Sequence, residues 1–370
     1  MRLLHVDSLL IRDFTGRKVP PYAILSHTWG EEEVSFKDMT KGRAPGLKGY
    51  EKIQACCRQA QIDCLEYVWI DTCCIDKRSS AELSEAINSM YCWYTKAQVC
   101  YAYLGDVTWP SGSKLDNTTM DQGLPPSFLS SRWFSRGWTL QELIAPPVVI
   151  FYSSEWSEIG SRKALRNTLM ELTGISYDAF EGFVDRCSVA QKMSWASKRE
   201  TTRVEDEAYC MLGLFGVSMP LLYGEGRKAF RRLQEEIIKR SDDETIFAWA
   251  RGNDDGRLLA LSPSNFEAFG CFECSDIRGG DFYSQSAWNS SPFTVTNKGV
   301  QLSLPVIEYQ PLNLLPGLLC GQRIREYERN RVCSLAVLNC HEIARKDEYV
   351  AILLDRKKGL VLPILDVGII

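Results

Sequence analysis

This sequence of 370 residues has little excess charge and little cysteine, and both scarcities exclude classes of protein. Its net charge is −4 and lysine and arginine form no run, which is unlike a nucleic-acid-binding surface. Its 14 cysteines are far too sparse for a disulfide scaffold. Several of them form adjacent pairs in apolar segments, Cys56-Cys57 and Cys73-Cys74, which favours free buried thiols in a reducing compartment.

Long apolar runs are also missing. No segment approaches the length of a membrane-spanning helix, and His5, Asp7, Arg12 and Asp13 interrupt the apolar residues at the amino terminus, where a signal peptide would need them. We therefore expect a cytoplasmic protein without a membrane span. Gly224-Glu-Gly226 lacks the lysine and the spacing of a phosphate-binding loop, so no Walker-type motif is present.

The hydrophobic pattern changes twice along the chain, which is long for one domain. Short apolar runs alternate with helical spacing over residues 1–155, helical spacing dominates residues 156–245, and a period of two prevails over residues 246–370. We predict three parts over these ranges: an α/β core, a helical extension and a β-rich carboxyl-terminal unit.

The first part has the alternation of a parallel α/β sheet. Apolar runs predict strands over residues 22–26, 65–70, 99–104 and 148–151. Three helices are predicted between these strands. The first covers residues 49–61, the second begins after Ser79, which caps its amino terminus, and the third runs from Trp138 to Ala145. Ligands of such sheets bind beyond the carboxyl ends of the strands.

The later parts also contain specific predictions. Leu165, Leu169 and Leu172 share a helix face, and a helix after Gly226 has an apolar face and an outer pair between Glu235 and Lys239. Asn297-Lys-Gly299 predicts a β-hairpin turn. Further strands are predicted over residues 334–338, 349–354 and 360–365.

The segment over residues 128–145 is the most informative for chemistry. It combines aromatic residues and two arginines with a single carboxylate, Glu142. Trp138, Glu142 and Ala145 fall on one helix face, and an aromatic ring one turn from an acid can hold that acid in a partly dry cleft. The alternative is a helix with its tryptophans in the core and Glu142 in solvent.

Together, these segments resemble the fungal heterokaryon-incompatibility (HET) domain family. The residues that carry the resemblance are Tyr22-Ala-Ile-Leu-Ser-His-Thr-Trp-Gly30, Trp69-Ile-Asp-Thr-Cys-Cys-Ile-Asp-Lys77, Ser80-Ala-Glu-Leu-Ser-Glu-Ala-Ile-Asn-Ser-Met90 and Arg136-Gly-Trp-Thr-Leu-Gln-Glu-Leu-Ile-Ala-Pro146. It continues through Glu205-Asp-Glu-Ala-Tyr209 and Tyr223-Gly-Glu-Gly226. The resemblance implies a role in nonself recognition and programmed cell death, with a nonself-recognition protein as a partner.

A second, shorter resemblance is to TIR domains, to which the HET family is thought to be distantly related. In TIR domains a helix with a Trp-Cys-x-x-Glu-Leu type of pattern supplies a glutamate needed for NAD cleavage. Trp138-Thr-Leu-Gln-Glu142-Leu143 is similar to that pattern, although Phe134-Ser-Arg-Gly137 leaves the register open. The resemblance implies a TIR-like, flavodoxin-like parallel sheet and an enzyme that works as an assembly.

We therefore predict NAD as a substrate, with Glu142 as the catalytic residue. The residues predicted to bind NAD are Ser26, His27, Trp29, Gly30, Asp71, Arg136 and Trp138. Nicotinamide leaves NAD as a neutral molecule, so the reaction needs no general acid, only a carboxylate that stabilises the oxocarbenium-like transition state. A tryptophan can stack on nicotinamide, and Arg136 can bind a phosphate. We expect no metal and no cofactor.

Structural roles remain open for several of these residues. His27 can bond a backbone carbonyl, Asp71 can cap a turn, and Arg136 can form an ion pair with Glu205 or Asp206. The alternative function is a non-catalytic death-signalling module that acts by self-association.

Two cysteine-based sites are weaker hypotheses. Cys271-Phe-Glu-Cys274 is a single Cys-x-x-Cys pair, with only Cys340-His341 available to complete a zinc site. The second hypothesis is a nucleophilic thiol, Cys73 or Cys74, beside His27.

Overall fold

The structure is a computed structural model that describes residues 1–109, 123–250, 258–274, 293–297, 299–304, 306–309, 333–355 and 360–368. The chain forms two compact units. The first comprises Met1–Val184 and Arg199–Leu222, and the second comprises Asp185–Lys198 and Tyr223–Ile370. The three-part division at residues 155 and 245 stays a prediction.

The α-helices are numbered in chain order. They are α1 (Phe36–Thr40), α2 (Gly49–Ile62), α3 (Asp71–Cys74), α4 (Ser80–Lys96), α5 (Pro126–Leu129), α6 (Arg132–Ser135), α7 (Thr139–Ile144), α8 (Arg166–Thr173), α9 (Tyr177–Phe180), α10 (Val189–Ala196), α11 (Asp206–Tyr209) and α12 (Lys228–Ile238). Within the described ranges, no helix is both long enough and apolar enough to cross a bilayer.

A seven-stranded sheet forms the centre of the first unit. Its strands are β1 (Arg2–His5), β2 (Ile11–Asp13), β3 (Ala23–His27), β4 (Tyr67–Trp69), β5 (Val99–Tyr103), β6 (Val149–Tyr152) and β7 (Glu158–Ser161). The spatial order is β2-β1-β4-β3-β5-β6-β7, and β3, β4, β5 and β6 are parallel. Numbered among themselves, the parallel strands follow the order 2-1-3-4, as in flavodoxin-like sheets. The predicted α/β class is confirmed, and a TIR-like fold stays a prediction.

Three antiparallel strands, which include both edge strands of the sheet, are the part that sequence reasoning missed. β1, β2 and β7 are antiparallel to their neighbours, and β7 lies in a range that we predicted to be helical, which is wrong for these residues. Edge strands are short and partly exposed, so they lack the continuous apolar run by which the buried strands are found. By contrast, β3 is buried along its whole length.

Helix α4 begins as its sequence predicts. The Ser79 hydroxyl accepts the backbone N–H of Glu82 at 3.3 Å. The Glu82 carboxylate accepts the backbone N–H of Asp76 at 2.7 Å and pairs with Arg2. The cap at Ser79 is therefore present, while Glu82 ties the helix to the preceding turn and to β1.

The second unit contains α10, α12 and two sheets. Its strands are β8 (Phe272–Cys274), β9 (Thr294–Thr296), β10 (Gly299–Gln301), β11 (Val306–Tyr309), β12 (Cys333–Glu342), β13 (Arg345–Asp355) and β14 (Leu360–Gly368). One sheet has the order β11-β12-β13-β14 with β8 beside β12, and β9 pairs with β10 in a hairpin. The predicted hairpin and the three predicted strands are therefore confirmed.

The side chains of α12 confirm one prediction and contradict another. Phe230, Leu233 and Ile237 are buried, as predicted. Glu235 pairs with Arg231 at 2.9 Å and Lys239 pairs with Glu236 at 2.6 Å, so the predicted pair between Glu235 and Lys239 is wrong. Each of these charges has a nearer opposite charge on the same helix.

Gly213 is required for the close approach of its segment to α4. A Cβ atom at this position would lie 2.0 Å from the Cβ of Tyr91. Because a Cβ atom cannot rotate away, we expect Gly213→Ala to lower the free energy of unfolding by about 1–3 kcal/mol in urea denaturation. Gly46→Ala is the control, since that position has open space and an ordinary φ. Equal stability of the two variants would contradict this packing.

Candidate functional site

Ser26 and His27 end the central strand β3, and Asp71 follows the neighbouring strand β4. Consecutive residues of a strand point to opposite faces of the sheet, so Ser26 and His27 form two separate groups of contacts. Ser26 contacts residues of α6 and α7, while His27 lies near the carboxylates of Glu33 and Asp71.

Glu142 lies on α7 and is 8% exposed. The hydroxyl of Ser26, which is 0% exposed, donates a hydrogen bond to Glu142 Oε2 at 2.5 Å. The alternative of a solvated Glu142 is therefore wrong. The carboxyl group is held at the carboxyl end of the first parallel strand, where flavodoxin-like sheets bind ligands.

Trp133 is the aromatic side chain that supports this arrangement. Its indole N–H donates to Ser26 Oγ at 2.8 Å, and the side chain is 0% exposed. The ring packs edge-on against Phe134 and Phe151. Because the indole N–H occupies a lone pair of Ser26 Oγ, the single hydroxyl proton of Ser26 is left to point at Glu142.

The position of Trp133 is set by the start of α6. The Ser131 hydroxyl caps this helix by accepting the backbone N–H of Trp133 at 3.3 Å, and it donates to Asp106 Oδ1 at 2.7 Å. Asp106 also accepts the backbone N–H of Arg132 at 2.8 Å. Since Asp106 follows β5 closely, these bonds join α6 to the carboxyl end of the sheet.

The charge state of Glu142 follows from its surroundings. Burial raises the pKa of its carboxyl to about 8, and the negative charge of Asp71 acts in the same direction. The hydrogen bond from Ser26, the nearby hydroxyl of Tyr94 and the charge of Arg136 oppose the increase. Glu142 is therefore mostly protonated at neutral pH, and a positively charged ligand beside it would favour the ionised form.

Arg136 and Trp138 flank Gly137 just before α7, and both are half-buried. The N–H of Gly137 donates to the carbonyl of Glu200 at 2.8 Å. A Cβ atom on Gly137 would lie 2.5 Å from Thr201 Cγ2, so the backbone approach requires glycine.

The guanidinium of Arg136 remains available for a ligand. Among the described residues it has neither an ion pair nor a hydrogen bond, so the alternative pairing with Glu205 or Asp206 is not formed. The backbone carbonyl of Arg136 accepts from Arg199 Nη1 at 2.9 Å, and the same nitrogen donates to Thr139 Oγ1 at 2.9 Å. Arg199 thus fixes the turn that precedes Glu142.

On the other face of β3, Trp29 and Asp71 are bonded to each other. The indole N–H of Trp29 donates to Asp71 Oδ2 at 3.0 Å, and Lys77 Nζ lies 3.5 Å from the centroid of the Trp29 ring. Burial alone would raise the pKa of Asp71, but Lys77, His27 and the bond from Trp29 together lower it. Asp71 is therefore ionised at neutral pH, and Trp29 is 47% exposed.

Gly30 and His27 share a neighbour that we did not predict, Glu33. The N–H of Gly30 donates to Glu33 Oε1 at 2.7 Å. His27 Nε2 is 3.8 Å from Glu33 Oε2 and 3.8 Å from Asp71 Oδ1. Burial first, and then the charge of Lys52, lower the pKa of His27 to about 4, so the ring is neutral at neutral pH.

The cysteine hypotheses gain no support. A hydrogen bond with Cys74, followed by burial, raises the pKa of Cys73, which keeps the thiol protonated and unreactive. Cys274 Sγ donates to Asp243 Oδ1 at 3.1 Å. In the part of the chain that the structure describes, no three His, Cys, Asp or Glu side chains are placed to hold a metal ion.

Two family models and one curated relative match parts of this chain. The family model described as "Heterokaryon incompatibility protein (HET)" matches residues 22–124, and that of a domain of unknown function, DUF8212, matches residues 228–257. The chain is 49% identical over 269 residues to "Vegetative incompatibility protein HET-E-1" of Podospora anserina. That alignment covers 70% of this chain and 18% of the relative. No solved structure matches significantly.

The chain therefore belongs to the fungal heterokaryon-incompatibility (HET) domain family. It spans less than a fifth of the length of the relative that it matches.

The protonated state of Glu142 can be tested through stability. A carboxyl whose pKa rises from 4.5 to about 8 on folding stabilises the fold fully below pH 4.5, and this contribution is lost as the pH rises to about 8. We expect the wild type to lose roughly 2–5 kcal/mol relative to Glu142→Gln between pH 5 and pH 9. Glu31→Gln, at an exposed position, is the control. Parallel stability curves for the wild type and Glu142→Gln would show that Glu142 is already ionised.

Proposed function

We propose that this HET domain acts in the cytoplasm as an effector of fungal incompatibility and programmed cell death. The family and the name of the Podospora relative support an incompatibility role. We further propose that the domain, when assembled, hydrolyses the nicotinamide–ribose bond of NAD. A nonself-recognition protein and other copies of the chain are the proposed partners.

The observation that carries the enzymatic proposal is the bond between Ser26 and Glu142. It holds the one carboxyl group of α7 at the end of β3, away from bulk water and without an ion-pair partner among the described residues. A purely structural carboxylate is usually neutralised by a paired cation. Glu142 is instead neutralised by a proton, and a positively charged ligand would favour loss of that proton.

The chemistry of NAD fits this carboxyl. The nicotinamide ring is cationic in the substrate, and the ribose develops positive charge as the bond to nicotinamide breaks. Binding of the cation favours ionisation of Glu142, and the carboxylate then stabilises the ribosyl cation in a site of low dielectric constant. Nicotinamide departs as a neutral molecule, and water adds to the ribosyl cation and gives up a proton to the Glu142 carboxylate.

Other predicted residues have supporting positions. Arg136 offers a free guanidinium for a phosphate, and the half-buried Trp138 adjoins α7. The negative charge of Asp71, which follows the neighbouring strand β4, also favours the protonated form of Glu142 in the absence of a ligand.

One observation favours the alternative function, a non-catalytic module that signals by self-association. Glu142 is only 8% exposed and already accepts a hydrogen bond from Ser26, as a structural carboxylic acid would. The two functions differ in one measurable respect, the release of nicotinamide.

The direct test is nicotinamide release from NAD by the purified chain, alone and fused to a trimerising tag. We expect activity that increases on clustering and a fall of at least about 100-fold in Glu142→Gln, because the transition-state charge loses its partner. Glu31→Gln should retain full activity. No release by the clustered wild type, or full activity of Glu142→Gln, would eliminate the proposed mechanism.

The hydrogen bond from Ser26 should appear in the pH dependence of hydrolysis. The reaction needs ionised Glu142, and Ser26 stabilises that form, so Ser26→Ala raises the pKa of Glu142. We expect the ascending limb of the pH–rate profile to move to higher pH, and the rate at pH 7 to fall roughly tenfold if the limb moves by about one pH unit. Ser8→Ala, at an exposed position, is the control. If the ascending limb of the Ser26→Ala profile stays at the same pH as in the wild type, the hydrogen bond from Ser26 has no role in catalysis.

A further inference from the structure

Three polar side chains converge beside the end of β3 without bonding to one another: His27, Glu33 and Asp71, here named the His27 cluster. The side chain of His27 is 1% exposed, and neither ring nitrogen has a hydrogen-bond partner in the described part of the chain. Its Nε2 atom lies 3.8 Å from Glu33 Oε2 and 3.8 Å from Asp71 Oδ1. These separations are too long for hydrogen bonds.

Each carboxylate of the cluster is held by its other oxygen. Glu33 Oε1 accepts from the backbone N–H of Gly30 at 2.7 Å and from Lys52 Nζ at 2.5 Å. Glu33 Oε2 is buried and has no hydrogen-bond partner among the described residues.

Asp71 is also held by one oxygen, and its side chain is 21% exposed. Its Oδ2 atom accepts from the Trp29 indole at 3.0 Å and lies 3.6 Å from Lys77 Nζ. Its Oδ1 atom is the one nearest to His27. The protein thus orients both carboxylates by one oxygen and leaves the other directed towards the same imidazole nitrogen.

Buried polar atoms without partners point to a missing group, because leaving them unpaired costs stability. The group has to offer hydrogen-bond donors, since carboxylate oxygens only accept. Lys52 and Lys77 already balance the charges of Glu33 and Asp71, so a neutral donor fits better than a cation. The neutral ring of His27 can serve either as donor or as acceptor.

We propose that the His27 cluster binds the 2′,3′-diol of a ribonucleotide. The two hydroxyl groups donate to Glu33 Oε2 and Asp71 Oδ1, and His27 Nε2 bonds to one of them. Carboxylates that bind ribose hydroxyls are an established means of recognising nucleotides at the ends of parallel strands.

One neighbour fits the base of such a ligand. Trp29 is 47% exposed, and its ring is fixed by Asp71 and Lys77, so it can stack on a base. The ammonium group of Lys77 lies over the same ring and helps to hold it in place. The choice of a nucleotide rests on the proposed function, since NAD carries two such diols.

Binding can be measured by calorimetry on the full chain without any turnover. The probes are adenosine monophosphate and nicotinamide mononucleotide, which represent the two halves of NAD, each compared with its 2′,3′-dideoxy counterpart. We expect at least one ribonucleotide to bind tenfold or more tightly than its dideoxy form, because two bonds to charged groups are lost. The mononucleotide that binds more tightly than its dideoxy form identifies which ribose of NAD occupies the His27 cluster.

The variants Glu33→Gln and Asp71→Asn should reduce that discrimination to less than threefold, while Glu31→Gln should retain it. Equal binding of the ribonucleotides and the dideoxy forms would overturn the proposal. Absence of binding at millimolar concentration would also overturn it, and an ordered water would then be the occupant of the His27 cluster. The binding measurement does not require NAD cleavage. If the chain releases no nicotinamide but still prefers the ribonucleotide to its dideoxy form, only the proposed hydrolysis is contradicted.

Discussion

The hydrogen bond from Ser26 to Glu142 is the interaction on which the candidate site depends. It joins the central strand of the sheet to the helix before β6, across 116 residues of sequence, at 2.5 Å. The indole N–H of Trp133 donates to Ser26 Oγ and thereby restrains rotation of the Ser26 hydroxyl. The result is a carboxyl group that is fixed in direction, largely dry and mostly protonated until a positive charge arrives.

This arrangement requires the packing around it. The cap at Ser131 and the carboxylate of Asp106 place α6 at the end of β5, and Gly137 lets the chain pass close to Glu200 before α7 begins. The parallel order of the sheet places Asp71 beside the end of β3 as well. One end of the sheet therefore presents two groups of different character: a buried neutral acid, and the charged His27 cluster with its lysines.

Sequence reasoning predicted the elements that have strong local signals. The buried strands β3 and β5 are continuous apolar runs, and α4 has both a cap and an apolar face, so each was found within one or two residues. The edge strands were missed because exposure removes the apolar pattern. The pair between Glu235 and Lys239 failed because spacing alone cannot choose between several charges on one helix.

The site was predictable only in part. Motif resemblance indicated Glu142 and Ser26, but helical spacing suggested Trp138 as the supporting aromatic, whereas the structure has Trp133 in that role, 107 residues from Ser26. Such contacts depend on tertiary packing and leave no periodic signal. Glu33 was missed because the run Glu31-Glu32-Glu33 reads as a solvated acidic loop.

The most direct test of this account is the ionisation of Glu142 itself, measured by infrared difference spectroscopy between the wild type and Glu142→Gln. A protonated carboxylic acid has a carbonyl band that a carboxylate lacks. We expect this band in the wild type at pH 6, its loss with a midpoint near pH 8, and its loss at lower pH when NAD is bound. A wild-type spectrum that shows an ionised Glu142 at pH 6, unaffected by NAD, would contradict the account.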